Sequence, residues 1–489
     1  MRAAARPIPK IPTQIAGLDE VLEGGLPQGR TTLVSGGPGS GKTVLGLEFL
    51  CRAANDGTPG VFITFEERAE AIRKNALSMG FDLAALEKAG KVAIVEARLM
   101  GGEIHSGDFD INGLLAIIDG HAKRIGAKQV VMDALDVLMR VFDDPQRERN
   151  ELYRLHDWLV DRKFTSILTV KVQQDGALAH RYEFLDFMAD CVIRLDHRVL
   201  VQVATRRLRV IKCRGSAFGT NEYPYVIGRS GIILFPLTHT ELTHRALGEK
   251  VSFGLAGLDA MLNGGIRRAS CILIGGPSGT GKTTLACSFV RAATRRQEKV
   301  LYLHFEESQE GLVGGMLSAG IDLRPAIKSQ HLKVQTGFPE AMGADNHLLR
   351  ALEAIDEFKP DHLVLDAISA CTRMGSTQAA FDYLMRLVGV LKDRGITVIL
   401  TNQTSPIPGT CEELSGIGFS SIVDTVIQLR FVDTGVEIAR QILIVKSRGS
   451  GHSNCREPYY ITDHGIEFPN NLRPVSVRAG QANGKGGAR

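Results

Sequence analysis

The chain has 489 residues, 44% of them hydrophobic and 23% charged, and its 58 Lys and Arg against 54 Asp and Glu leave a formal net charge of +4. At roughly 150 residues per domain this allows two to four domains, each large enough to bury its own core, and excludes a largely disordered protein. Acids and bases are interspersed, without the clustered basic signal of a nucleic-acid binder, so nucleic acid is not an expected partner.

Residues 1–12 carry Arg2 and Arg6, then Pro7, Pro9 and Pro12, with no apolar run that would make a signal peptide, and are expected to form a flexible tail. No stretch reaches the roughly 18 consecutive apolar residues of a membrane span, so a cytoplasmic location without a membrane is expected. The eight cysteines are far apart in sequence and form no C-x-x-C pair of the zinc or redox kind. After Gly17-Leu18-Asp19 and Gly24-Gly25, residues 31–34 read as a buried strand that runs into a Gly-rich loop. An apolar-periodic helix over about 43–54 and a strand over 61–65 follow. Residues 129–132 and 165–170 read as further strands, separated by a helix around 151–162. Such alternation predicts an α/β domain with a parallel sheet, and the strand-rich run 191–212 predicts an antiparallel extension at its edge.

The whole pattern then repeats. Gly257-Leu258-Asp259, Gly264-Gly265, Lys282-Thr283 and Phe305-Glu306-Glu307 each follow their first-copy counterparts by 240 residues. Asp366 follows Asp133 by 233, and Lys446-x-Arg448 follows Lys212-x-Arg214 by 234. A period this long means tandem globular domains. The expected division is a first domain over 13–240, a linker at 241–250, a second domain over 251–475 and a disordered Gly-rich tail at 476–489.

Four features carry chemistry. The segment Gly36-Gly37-Pro38-Gly39-Ser40-Gly41-Lys42-Thr43 fits the phosphate-loop pattern, and Gly276-Pro277-Ser278-Gly279-Thr280-Gly281-Lys282-Thr283 fits it again. Glycines let backbone N–H groups face the phosphates, the lysine reaches the β- and γ-phosphates, and the Thr hydroxyl ligates Mg²⁺. ATP and Mg²⁺ are therefore the expected cofactors. Asp133 and Asp366, each ending an apolar strand, are the expected carboxylates of the Mg²⁺ shell, although an acid after a strand also serves as a turn or cap residue. Glu66-Glu67 and Glu306-Glu307 follow the second strand of each copy, where a carboxylate orients the attacking nucleophile; a solvated acidic turn is the plainer reading. Lys212 and Arg214, with Lys446 and Arg448, close the last long strands. They suit either a protected edge or cations that stabilise γ-phosphate charge from a neighbouring subunit.

This duplicated set resembles the KaiC family of tandem RecA-like ATPases of the bacterial circadian clock, over about residues 10–470. The resemblance implies two RecA-like P-loop NTPase domains in a double-ring homohexamer, with ATP at the subunit interfaces. The first domain would hydrolyse ATP, and the second would be a serine/threonine autokinase and autophosphatase. It marks the Glu pairs as catalytic, Lys212, Arg214, Lys446 and Arg448 as trans-acting nucleotide contacts, and Arg373 as a further arginine near the second nucleotide. Ser420 and Ser421 match the family's adjacent phosphoacceptors. Their first-copy counterparts, Asp186 and Phe187, carry no hydroxyl. Ser421 replaces the family's usual Thr, Ala367 a hydroxyl, and Ser415 a further Thr. The C-terminal tail does not resemble the one through which KaiA acts, so KaiA dependence is not expected, whereas a KaiB-like protein could dock on the first ring. Two other functions fit the phosphate loops: a RecA-like DNA-dependent ATPase or recombinase, and a nucleotide-switched scaffold with little turnover.

Overall fold

A computed structural model describes residues 8–97, 111–142, 144–171, 183–200, 203–235, 247–404 and 422–469. The chain divides near residue 240 into two compact units, each built on a nine-stranded sheet. In the first unit the strands are β1 (Thr31–Gly36), β2 (Gly60–Thr64), β3 (Val92–Glu96), β4 (Gln129–Asp133), β5 (Thr165–Lys171), β6 (Cys191–Leu200), β7 (Val203–Cys213), β8 (Glu222–Gly228) and β9 (Gly231–Leu234). In the second they are β10 (Cys271–Gly276), β11 (Val300–His304), β12 (Leu332–Thr336), β13 (His362–Asp366), β14 (Thr397–Gln403), β15 (Thr425–Asp433), β16 (Ile438–Ser447), β17 (Glu457–Thr462) and β18 (Gly465–Glu467).

The spatial order is the same in both, β3-β2-β4-β5-β1-β6-β7-β8-β9 and β12-β11-β13-β14-β10-β15-β16-β17-β18. The phosphate-loop strand β1 runs parallel to β5 and β6 on either side, as β10 does to β14 and β15. Beyond β15 every pairing is antiparallel, and so are β7 with β8 and β8 with β9. Both units are thus α/β, mainly parallel, with the antiparallel edge the sequence predicts.

Successive side chains of a strand point to opposite faces, and here both faces are covered. Val61 and Ile63 join one apolar cluster while Phe62 joins another, and Val130 and Met132 separate from Val131 in the same way. This explains the unbroken apolar runs, which a sheet with one wet face would not have. A fully buried side chain of this size contributes roughly 1.5–3 kcal/mol.

The helix after the phosphate loop spans Lys42–Asn55 in the first unit and Lys282–Arg295 in the second. The helix expected around 151–162 begins earlier and spans Pro145–Asp161. The Asp144 side chain accepts from the N–H groups of Gln146 and Arg147 at 3.0 and 3.3 Å, and Pro145 fits the first turn.

The duplicated Gly-Leu-Asp and Gly-Gly elements shape the opening turn of each unit. Asp19 accepts from Thr13 N at 2.7 Å and Gln14 N at 2.8 Å, and Asp259 accepts from Phe253 N at 2.6 Å. Gly25 and Gly265 have φ of 114° and 108°. A Cβ there would lie 2.1 Å from Ile11 O or 2.2 Å from Val251 O, so only glycine lets the two strands of the opening ribbon meet. That ribbon pairs Lys10–Ile11 with Leu26–Pro27. It therefore takes in residues the sequence reading placed in the N-terminal tail.

Candidate nucleotide sites

Each phosphate loop joins the carboxyl end of the central strand to a helix N-terminus, the place where open α/β sheets bind ligands. Gly39 and Gly41 take φ of 71° and 89°, and Gly279 and Gly281 take 79° and 89°, so both loops make the same turns. The loop is tied from within: Ser40 Oγ donates to Gly37 O and Thr280 Oγ1 to Pro277 O, each at 2.8 Å. Tyr225 and Tyr459, on β8 and β17, donate to the carbonyls of Ser40 and Thr280. The antiparallel edge thereby braces the phosphate loop.

Lys42 Nζ donates to Gly36 O and Gly37 O, both at 2.9 Å, and Lys282 Nζ to Pro277 O at 2.9 Å. Burial pulls both ammonium groups below the usual lysine range. Asp133, Asp136 and Glu66 oppose that effect at Lys42, and Asp366 and Glu306 at Lys282. A half-buried cation whose partners are loop carbonyls is suited to an anion that restores its solvation.

Beside each lysine, the Thr hydroxyl and the strand-end acid meet. Thr43 Oγ1 donates to Asp133 Oδ2 at 2.8 Å, and Thr283 Oγ1 to Asp366 Oδ2 at 2.9 Å. Both acids are buried, and the other oxygen of each accepts from a Thr on the adjacent strand, Thr169 on β5 or Thr401 on β14. Burial raises the Asp133 carboxyl above the usual range, while Thr169, Thr43 and Lys42 counteract it. A hydroxyl and a carboxylate are hard oxygen donors of the kind Mg²⁺ takes when it is shared with a triphosphate, so the residues present fit that ion.

The acidic pairs differ between copies. Glu66 is exposed and Glu67 half-buried. Glu67 N donates to Thr64 Oγ1 at 3.1 Å, that hydroxyl donates back to Glu67 O at 2.9 Å, and Asn75 Nδ2 donates to Glu67 Oε2 at 3.2 Å. Burial, with Asp133 and Glu66 nearby, raises the Glu67 carboxyl. In the second copy His304 replaces Thr64 and turns to the acid instead, its Nδ1 donating to Asp366 O at 2.9 Å. Glu306 and Glu307 are both exposed.

The paired cations lie elsewhere. Lys212 and Arg214 bond the carbonyls of Asp186 and Phe187, and Arg214 N donates to Asp190 O at 2.8 Å, at the amino end of β6. Lys446 Nζ donates to Val423 O at 2.7 Å, and Arg448 N to Asp424 O at 2.8 Å. Since β6 and β1 are parallel, this edge is separated from the chain's own phosphate loop by the length of β1, about 20 Å at ~3.3 Å per residue. Arg373 ends a short 3₁₀ helix, Ile368–Arg373, and pairs with Glu340 at 3.0 Å. Ser420 and Ser421 lie outside the described residues.

Sequence reasoning missed Asp136, buried and accepting from Lys171 N at 3.0 Å, as well as Thr169, Thr401 and Tyr302. Thr169 and Thr401 had a signal, a hydroxyl at matching places in the two copies. No helix among the described residues is long and apolar enough to cross a membrane.

A family model for the KaiC ATPase matches residues 11–239 and again 251–473. The circadian clock protein KaiC2 of Synechocystis sp. is 37% identical over 462 residues, covering 94% of this chain and 81% of that protein. The circadian clock oscillator proteins KaiC of Prochlorococcus marinus and Synechococcus elongatus are 33% and 34% identical, covering 94% and 95% of this chain and 93% and 90% of their own lengths. With both halves matched and nearly the whole length aligned, the chain belongs to the KaiC family of ATPases.

Proposed function

We propose that the protein is a homohexameric, cytoplasmic ATPase whose second domain is also a serine autokinase and autophosphatase, with a role in signalling or timing. The observation that carries this reading is the pair of bonded Thr and Asp side chains beside the phosphate-loop lysines, Thr43 with Asp133 and Thr283 with Asp366. Residues 13–240 and 251–475 would each hold one ATP, and a KaiB-like protein would dock on the first.

In this mechanism Gly36–Thr43 and Gly276–Thr283 cradle the phosphates, and Lys42 and Lys282 neutralise their charge. Thr43 and Asp133, or Thr283 and Asp366, would hold Mg²⁺, which when bound offsets charge on the phosphate oxygens. In the first domain Glu66 and Glu67 orient a water. The raised Glu67 carboxyl suits acceptance of its proton as the oxygen attacks the γ-phosphorus and ADP leaves. In the second domain the nucleophile is the hydroxyl of Ser420 or Ser421: its proton passes to Glu306 or Glu307, the γ-phosphoryl bonds to Oγ, and ADP leaves. Hydrolysis of that phosphoserine completes the phosphatase half.

The distance of Lys212, Arg214, Lys446 and Arg448 from their own phosphate loops supports a contact made in trans to a neighbour's ATP, joined by Arg373 at the second site. Lys212 and Arg214 grip the backbone of Asp186 and Phe187, the counterparts of Ser420 and Ser421. This supports a phosphoacceptor segment beside the second cation pair, at the same edge. The test is intact mass after incubation with Mg-ATP, followed by site mapping. One or two phosphates on Ser420 and Ser421 are expected, lost in Lys282→Ala and slowed in Glu306→Gln. Unmodified serines, with Glu306→Gln indistinguishable from the parent chain, would refute the kinase half.

A further inference from the structure

The two strand-end acids share a pair of Thr donors and differ by one direct hydroxyl donor; around them, His304 stands in place of Thr64 with Nδ1 3.8 Å from Asp366 Oδ2, and Asp136 lies near Asp133. Asp133 accepts from Thr43 and Thr169. Asp366 accepts from Thr283 and Thr401 and, in addition, from the phenol of Tyr302, which donates to Oδ2 at 2.8 Å, the same oxygen that takes Thr283 at 2.9 Å. Phe62 occupies the matching place in the first unit. Phe62 pairs with Val131 across β2 and β4, and Tyr302 with Val364 across β11 and β13. Both rings are fully buried. The backbone position and the full burial are shared, and the phenolic oxygen, which also accepts from Cys287 Sγ at 3.9 Å, is the difference between the two rings.

That oxygen changes what the acid can still accept. An ionised carboxylate offers about four lone-pair sites. Among the described residues two are taken at Asp133 and three at Asp366. Mg²⁺ gives up its water reluctantly and is bound through one or two carboxylates while keeping several waters. Those waters must donate to acceptors around the site. Asp366 has half the remaining capacity of Asp133, and a phenol bonded to a carboxylate also draws charge from the oxygens that attract the ion.

We propose that Tyr302 is a positioning residue that raises the Mg²⁺ requirement of the second nucleotide site above that of the first. The inference rests on the nucleotide-site reading above and goes beyond it: the two ATP sites of one chain answer to different Mg²⁺ levels. As free Mg²⁺ falls, the second site loses its ion while the first still holds one. Phosphoryl transfer to the chain's own serines then stops before hydrolysis does.

The test is a binding measurement, independent of turnover. Ribose-labelled fluorescent ADP is loaded on the full-length chain and MgCl₂ is titrated, with Lys42→Ala used to report the second site and Lys282→Ala the first. The second site is expected to need about five- to tenfold more Mg²⁺ for half-saturation, the effect of one hydrogen bond to a charged group after partial compensation. Tyr302→Phe should remove most of that gap, and Phe62→Tyr should create one at the first site. Tyr302→Phe installs the residue that the first unit buries at the same place, so the packing is retained. Equal half-saturation at the two sites would overturn the inference, and so would a Tyr302→Phe titration that is unshifted or shifted to higher Mg²⁺. Failure of the second site to take up ADP at all would overturn the site itself, a separate and recognisable result.

Discussion

Thr169 and Thr401 donate to corresponding oxygens of Asp133 and Asp366, yet their removal should not cost the same. Thr169→Val replaces the hydroxyl by a methyl of nearly equal size and leaves the buried Asp133 with Thr43 as its remaining side-chain donor among the described residues. A hydrogen bond to a charged group contributes about 1.5–3 kcal/mol, so a loss of ~2 kcal/mol is expected at neutral pH. For a domain of this size that lowers the midpoint by roughly 4–8 °C. Thr401→Val leaves Asp366 with both Thr283 and Tyr302, and its loss should be nearer ~1 kcal/mol. The pH dependence has a definite sign. Burial raises the folded Asp133 carboxyl above its unfolded value. Its contribution is therefore fully present below the unfolded value and is lost as pH rises through the folded one. The Thr169→Val deficit should grow over that rise and shrink when Asp133 is protonated. Scanning calorimetry of the nucleotide-free full chain from acid to neutral pH measures both effects. A Thr401→Val deficit equal to or larger than that of Thr169→Val, or a Thr169→Val deficit independent of pH, would refute the reasoning.

Subunits with Lys42→Ala should be inactive at the first site, as should subunits with Lys212→Ala and Arg214→Ala. In a Lys282→Ala background, mixing the two should restore about a quarter of the sites, the random fraction for a head-to-tail interface in which each site takes one part from each neighbour. No recovery on mixing would place the cations outside the site. In the same background, hydrolysis should fall as pH drops through the raised Glu67 value, above the ordinary ~4.3 of a glutamate, because the ionised form accepts the proton. Glu67→Gln should flatten the profile, and a parent midpoint at the ordinary value would exclude Glu67 as the base. Gly25→Ala forces a Cβ to 2.1 Å from Ile11 O at φ 114° and should cost about 1–3 kcal/mol. Gly24→Ala, with similar φ but its nearest contact Lys10 Cδ at 3.7 Å, should cost less by denaturant titration.

What the sequence displays are interactions local in the chain. The phosphate loop, its strand and its helix are contiguous, so Gly36–Thr43 could be read directly, and duplication made the reading secure. The boundary at Pro145 was missed because the cap belongs to Asp144 and not to the apolar periodicity that follows it. Thr169, Thr401 and Tyr302 reach their acids from other strands of the sheet, at separations of 36, 35 and 64 residues. Nothing around Tyr302 in the sequence sets it apart from a core aromatic. Lys212 and Arg214 were legible as a repeated pair. Their separation from the phosphate loop follows only from the antiparallel return of β7, which carries them to the opposite end of the sheet.

That return has a genetic consequence under the trans arrangement. Each subunit would then supply the loop of one catalytic centre and the cations of the next, so the unit of inheritance and the unit of catalysis would be offset by half a site. A subunit altered in both places that still joined the ring would silence two centres around it. An allele of that kind, expressed beside the intact gene, would act as a dominant inhibitor.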